Sequence, residues 1–307
     1  MIYDNYGRPT INLRISVTQK CNLKCPHCHR EGETSSSTEM SAYEIVQIAR
    51  IALTLDISRV KITGGEPLLR PDILQIVQAV ANLRGVHDLS MTTNGTFLSS
   101  KAKELQKMGL GRVNVNIPTL SSKTYRDLTG GILQDSINGI KAAVNAGLFP
   151  VKLNMVMLRG VNETEIPNMI SFAKRSGTIL QLIELEPVNL DPSYYARYHY
   201  PLNTVEAELE KRALQIKTRK NMQNRRIYFL PETKVEVIRP IENTECCSHC
   251  TRIRVTSDGK LKPCLMRDDD LVDILTPLRK GADEETLTKL FVEAIKKRKP
   301  YYSKLND

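Results

Sequence analysis

Aliphatic runs alternate with amphipathic stretches through the first two thirds of the chain. Runs rich in β-branched and aliphatic residues fall at 11–18, 59–63, 88–93, 112–117, 151–158 and 179–185. Apolar character on both faces marks buried strands. Between them, residues 41–55 set Ile45, Ile48, Ala49, Ala52 and Leu53 on one helical face. Pro71 opens a second helix with the stripe Ile73, Ile76, Val77 and Val80. Residues 135–146 carry Ile137, Ile140 and Val144 ahead of Gly147, a helix stop. Six such βα units predict an α/β fold: a parallel sheet with helices outside, curled into a partial barrel or left open. Ligand sites in these folds gather at the C-terminal ends of the strands.

The rhythm shortens after about residue 223. Residues 226–230 and 235–238 read as short strands, and 252–256 and 260–264 flank Ser257-Asp258-Gly259, a hairpin turn. A helix over 283–297 closes the chain. We therefore expect a barrel over residues 1–225 and a smaller, mostly antiparallel region over 226–307 packed on it. The aromatic stretch 193–200 reads as a half-buried connection to a helix beginning near Asn203.

Composition is that of a globular protein: 307 residues, 41% hydrophobic and 25% charged. No apolar run approaches a membrane span and the start has no signal pattern, so the expected location is cytoplasmic. A net charge of +10 favours an anionic partner, either nucleic acid or a phosphorylated small molecule. The KKRK run at 296–299 reads as a solvated helix end.

Seven cysteines in a cytosolic chain point to metal or catalysis, not disulfides. Cys21, Cys25 and Cys28 follow the first strand in the run CNLKCPHC. Three thiolates can hold three irons of a cubane and leave the fourth open for chemistry, whereas an electron-transfer cubane takes four. A zinc ion held by three of these cysteines and His27 or His29 is the alternative. Cys247, Cys250 and Cys264 repeat the three-thiol set across the hairpin, with Cys246 as a spare thiol. A four-cysteine zinc ribbon is the alternative there. If the segment is extended, adjacent Cys246 and Cys247 point oppositely and only one ligates. The same alternation puts Arg252 and Arg254 on one face, suited to planar or phosphate oxygens. Arg14, Lys61 and Lys152 lie on predicted strands; turned into a barrel, they call for a highly charged anion such as a triphosphate. No GxxxxGK[ST] run is present, so side-chain cations would have to hold a nucleotide.

The CxxxCxxC spacing after a first strand, with Thr63-Gly64-Gly65-Glu66-Pro67 after the second, resembles the radical S-adenosylmethionine (SAM) superfamily. The blocks LRISVTQKCNLKCPHC, KITGGEPLLRPD, MTTNG, GRVNVN, KLNMVMLRGVNE and CxxCTRIRVTSDGKLKPCL resemble, in order, the GTP 3′,8-cyclase family of molybdenum cofactor biosynthesis. This resemblance implies a radical SAM partial (β/α)6 barrel with a second Fe–S cluster in its C-terminal region. It implies two [4Fe-4S] clusters: one on Cys21, Cys25 and Cys28 that cleaves SAM to a 5′-deoxyadenosyl radical, one on Cys247, Cys250 and Cys264 that holds guanine. SAM contacts carry over to His27 (by backbone), Gly65, Asn116 and Glu186. GTP contacts carry over to Arg14, Lys61, Thr92, Lys152, Arg252, Ile253 and Arg254. Bacterial members have serine, methionine and arginine where Asn116, Glu186 and Lys61 stand, and end in Gly-Gly where this chain ends YYSKLND; the chain resembles archaeal members. An electron donor and a downstream enzyme that forms the pyranopterin are implied as partners. Other superfamily members act on peptides or tRNA, the alternative substrates; nucleic acid is the less favoured of these readings. A zinc-loaded interaction module would lack the chemistry altogether.

Overall fold

The computed structural model describes residues 1–303. Six strands form the expected parallel array: β1 (Asn12–Ser16), β2 (Arg59–Thr63), β3 (Asp88–Thr93), β4 (Arg112–Asn116), β5 (Val151–Met157) and β6 (Ile179–Glu184). Each pairs in parallel with the next. The six predicted runs coincide with them, trimmed by at most two residues at an end.

The later strands are β7 (Gln215–Arg219), β8 (Arg225–Phe229), β9 (Lys234–Ile238), β10 (Arg252–Val255), β11 (Lys260–Lys262) and β12 (Val272–Asp273). All twelve belong to one sheet, in the order β12-β11-β10-β1-β2-β3-β4-β5-β6-β9-β8-β7. The C-terminal strands are antiparallel among themselves, as expected. They are not a layer set on the barrel, however. β10 lies parallel to β1, and β9 lies parallel to β6. The reason is the open edge: a six-stranded array leaves unpaired N–H and C=O groups on both sides, and the returning chain pairs with each. Strand β7 has no apolar run and escaped the sequence reading; it is exposed along most of its length.

Helices α1 (Ala42–Thr54), α2 (Ile73–Ala81), α3 (Leu98–Lys107), α4 (Ser122–Thr129), α5 (Leu133–Asn145) and α6 (Ile166–Ser176) cover the sheet. Ser41 and Glu44 cap α1 reciprocally, which sets its start. The α2 stripe is fully buried as predicted, although Pro71 lies ahead of the N-cap Asp72 and does not open the helix. On α1, Ile51 is buried where Leu53 was expected. On α5 the buried face is Leu133, Ser136, Gly139, Ile140 and Ala143, while Val144 is 37% exposed. The contact with α3 and the turn ahead of it selects small residues there: a Cβ on Gly139 would stand 2.0 Å from the Gly95 carbonyl oxygen and 3.0 Å from Leu98 Cβ.

Five further helices follow: α7 (Pro192–Tyr198), α8 (Asn203–Arg212), α9 (Thr244–Ser248), α10 (Leu275–Arg279) and α11 (Glu284–Lys296). Among the described residues no helix is long and apolar enough to cross a membrane.

Candidate active site

The loop leaving β1 carries Cys21, Cys25 and Cys28 and is clamped by backbone. Gly65 N–H donates to the Thr18 carbonyl and Glu66 N–H to the Lys20 carbonyl, each at 2.7 Å. A Cβ on Gly65 would stand 2.3 Å from the Lys20 oxygen, so only glycine permits this approach. Glu66 is fully buried and accepts from Thr93 Oγ1 and Asn94 N–H at 2.7 Å and from Leu68 N–H at 3.0 Å. Burial against these donors leaves its carboxyl raised to about 7. The two glycines thus belong to a buried brace that fixes the cysteine loop.

The sulfurs face donors. Leu23 N–H donates to Cys21 Sγ and Arg30 N–H to Cys28 Sγ, both at 3.4 Å, and Asn94 Nδ2 lies 3.9 Å from Cys21 Sγ. Burial and the neighbouring thiols Cys28 and Cys21 push Cys25 up to about 12. Among the described residues, no three His, Cys, Asp or Glu side chains close around a single ion position. The three thiols lie close enough to raise one another's pKa, and N–H groups are directed at Cys21 and Cys28; such a donor set suits an iron–sulfur cluster. Burial, then nearby His29, hold the His27 ring neutral, at about 4, and its buried Nδ1 has no hydrogen-bond partner. Glu186 stands 3.9 Å from His29 Nε2.

The second cysteine group sits at the other end of the strands. β10 runs parallel to β1, so Cys250, just ahead of β10, lies at the end of the sheet opposite the loop that leaves β1. Cys264 follows the returning strand β11 and lies at that same end. Cys246 and Cys247 fall in α9, so the extended-strand alternation expected of them does not apply. Cys246 is buried, and Cys247 Sγ accepts from Tyr302 N–H at 3.4 Å. Cys250 is pulled down to about 7: burial alone would raise it, but Arg298, Arg252 and Arg254 outweigh that. Arg298 corrects the reading of 296–299 as solvated. It is 1% exposed, bonds the Cys250 carbonyl and Thr10 Oγ1, and stands 3.4 Å from Asp4. Of the tail YYSKLND, Tyr301 and Tyr302 line the cavity, and residues 304–307 lie outside the described residues.

One cavity takes in both cysteine groups, together with Gly65, Thr92, Asn116 and Glu186. Arg14, Arg225, Arg252 and Arg254 form a crowded cationic wall. Burial, then Arg225 and Arg14, hold Arg252 well below its ordinary pKa. Ile253, between the two arginines, is buried in the core. Lys61 and Lys152 do not line that cavity; they line an adjoining one shared with Arg14, Arg225 and Arg252. Lys61 donates to Asn114 Oδ1 at 2.9 Å; burial, Arg112, Arg14 and Lys152 depress its pKa. Lys152 is already paired, with Glu236, which also bonds Gln181 and accepts from Arg219 Nη1 at 3.1 Å. Sequence reasoning missed Glu31, Asn94, Arg225, Glu236 and Arg298. Asn94 lay inside the quoted MTTNG block; the others had no local signal.

Residues 15–173 match the family described as the radical SAM superfamily, and residues 178–304 match Molybdenum Cofactor Synthesis C. A protein of Methanothermobacter thermautotrophicus named "Probable GTP 3′,8-cyclase" is 46% identical over 304 residues, 98% of this chain and 99% of that protein. Proteins of the same name from Methanothermobacter marburgensis and Pyrococcus abyssi are 48% and 47% identical. Those alignments span 98% and 99% of this chain, and 99% and 100% of theirs. Among solved structures, Streptococcus suis SuiB bound to precursor peptide SuiA superposes with a TM-score of 0.62 at 17% identity, over 84% of this chain and 60% of that one. Hexahistidine-tagged anSMEcpe with bound AdoMet gives 0.56 at 16%, over 85% and 76%. At such identities these two share the fold.

Proposed function

We propose that this chain, which belongs to the radical SAM superfamily and within it to the GTP 3′,8-cyclase family, joins ribose C3′ of GTP to guanine C8, giving 3′,8-cyclo-7,8-dihydro-GTP for molybdenum cofactor synthesis. Cys21, Cys25 and Cys28 hold a [4Fe-4S] cluster. When bound, that cluster supplies the electron that splits SAM into methionine and a hydrogen-abstracting 5′-deoxyadenosyl radical. The protein's own part is placement. Gly65, Asn116, Glu186 and the His27 backbone border the place for SAM. Arg14, Thr92, Arg252 and Arg254 receive GTP, with Lys61 and Lys152 on the adjoining cavity; Ile253, its side chain in the core, has only backbone to offer. Cys247, Cys250 and Cys264 would hold a second [4Fe-4S] cluster, which would supply a binding position for the guanine end.

The observation that carries this reading is the crowding of buried arginines between two three-cysteine groups. Arg252 is held below its ordinary pKa by burial and then by Arg225 and Arg14, and an anion of high charge would relieve both. A triphosphate meets that need, and guanine then lies toward the second cysteine group. The electron comes from a reduced donor protein or chemical reductant, and the product passes to an enzyme that rearranges it to a pyranopterin.

The test is an oxygen-free incubation of reconstituted protein with SAM, reductant and GTP. It should yield 5′-deoxyadenosine together with the cyclised nucleotide. Deoxyadenosine formed equally well without GTP, and no cyclised product, would overturn the substrate assignment.

A further inference from the structure

Glu31 lies three residues beyond Cys28 and is 7% exposed. It accepts from Thr63 Oγ1 at 2.8 Å and from Arg14 Nη1 at 3.3 Å, and Arg254 Nε stands 3.9 Å away. Thr63 ends β2 just ahead of Gly64-Gly65, Arg14 belongs to β1, and Arg254 belongs to β10 beyond Cys250. Four segments of the site therefore meet on one carboxylate: the cysteine loop, the glycine brace and two substrate-facing strands.

The backbone is distorted to put it there. Arg30, Glu31 and Gly32 have φ of 47°, 52° and 68°. For residues with side chains the left-handed region costs roughly 1–2 kcal/mol each. Strain of this kind collects at functional sites. The turn is also wedged in place, since a Cβ on Gly32 would stand 2.7 Å from the Leu265 oxygen, next to Cys264.

The carboxylate satisfies its arginines only in part. Both Arg14 contacts are long, at 3.3 Å, and the buried Nε of Arg254 has no hydrogen-bond partner. A phosphate with better geometry would displace it from both.

Resting on the GTP reading above, we propose that Glu31 is a positioning residue. It stands in for a substrate phosphate on Arg14 and Arg254 and yields them when the triphosphate arrives. Nucleotide occupancy is thereby passed through the Arg30–Gly32 turn to the cysteine loop. A bracing role alone would make loss of the charge weaken binding; a stand-in role makes it strengthen binding.

Glu31→Gln keeps the size and an acceptor for Thr63 but drops the charge. GTP binding to the iron-loaded protein without SAM, measured by equilibrium dialysis, should tighten about tenfold, or about 1.4 kcal/mol. Inorganic tripolyphosphate should tighten in parallel. In turnover, the ratio of 5′-deoxyadenosine to cyclised product should rise about threefold or more, corresponding to about 0.65 kcal/mol or more, and Glu31→Asp should restore the wild-type ratio. Equal or weaker nucleotide binding by Glu31→Gln, with an unchanged ratio, would overturn the proposal. If that variant does not load iron, Thr63→Val, which frees the carboxylate without removing it, should tighten binding by a smaller factor; no change would be equally fatal. Failure of the GTP reading looks different: wild type itself would bind tripolyphosphate yet make no cyclised product.

Discussion

A thiol ligates iron as thiolate; burial raises Cys247 and Cys264 as it does Cys21, Cys25 and Cys28, and Cys250 departs from them. Cys25 is pushed to about 12 by burial and its neighbours, so iron must drive off its proton; Cys250, beside Arg298, Arg252 and Arg254, already sits near 7. The two groups lie at opposite ends of the strands and should therefore fill independently. Cys25→Ala should lower bound iron from about eight to about four per chain and abolish deoxyadenosine formation. Iron assay of oxygen-free protein checks this; loss of all iron would show that the sites are not separate. Glu236 offers a second test at this scale. Burial would raise its carboxyl, but Lys152, Arg225 and Arg219 bring it down to about 2, against an ordinary value near 4.5. A depressed carboxyl favours folding above about pH 4.5, and that contribution is lost as pH falls toward 2. Glu236→Gln strands the buried Lys152, so it should cost about 3–5 kcal/mol at pH 7. The gap from wild type should narrow below pH 4.5. Urea unfolding at pH 7, 5 and 4 measures it, and a gap that holds constant with pH would remove the charge from the account.

At the scale of elements, the glycine brace behind Cys21 is the joint that matters. Gly65→Ala drives a methyl into the Gln19 and Lys20 carbonyls, at 2.6 and 2.3 Å, with no flexible side chain to move aside. The variant should lose the first cluster and SAM binding while retaining about four irons on the second group; iron and SAM titrations report both, and normal loading would show that the loop tolerates displacement. The parts legible in the sequence are those with short-range signals. Strands β1 to β6 announce themselves as buried aliphatic runs, and the cysteine spacing and Thr63–Pro67 block mark the site within a few residues. What escaped depends on distance or on shape. Glu236 is 84 residues from Lys152, so nothing near Lys152 revealed its partner. Arg298 sits in a run of cations that reads as solvated until α11 delivers it beneath Cys250. Glu31 owes its position to left-handed backbone that leaves no mark on composition. The α5 contact uses Ser136 and Gly139, which no search for large apolar residues selects.

At the scale of the molecule, the sheet decides what can stand alone. A division near residue 225, as the change of strand rhythm implies, is a candidate boundary between barrel and C-terminal region. The pairing argues that the two are not separable in folding. β10 supplies β1 with its neighbour, β9 supplies β6, and Glu236 from β9 neutralises Lys152 inside the barrel. A chain ending at residue 225 would expose two long strand edges and leave Lys152 buried without its partner carboxylate. Exposed edges pair with other chains, and an unpaired buried cation costs several kcal/mol, a large share of a typical domain's stability. The 1–225 fragment is therefore expected to aggregate or remain unfolded, even with iron and sulfide supplied, and to bind no SAM. Adding residues 226–307 as a separate polypeptide during refolding should recover soluble, iron-bearing protein, because the missing edges and carboxylate arrive together. Size-exclusion chromatography with iron analysis distinguishes the outcomes. A soluble, monomeric, four-iron 1–225 fragment would mean that the barrel needs neither edge partner, and that the C-terminal region serves the substrate alone.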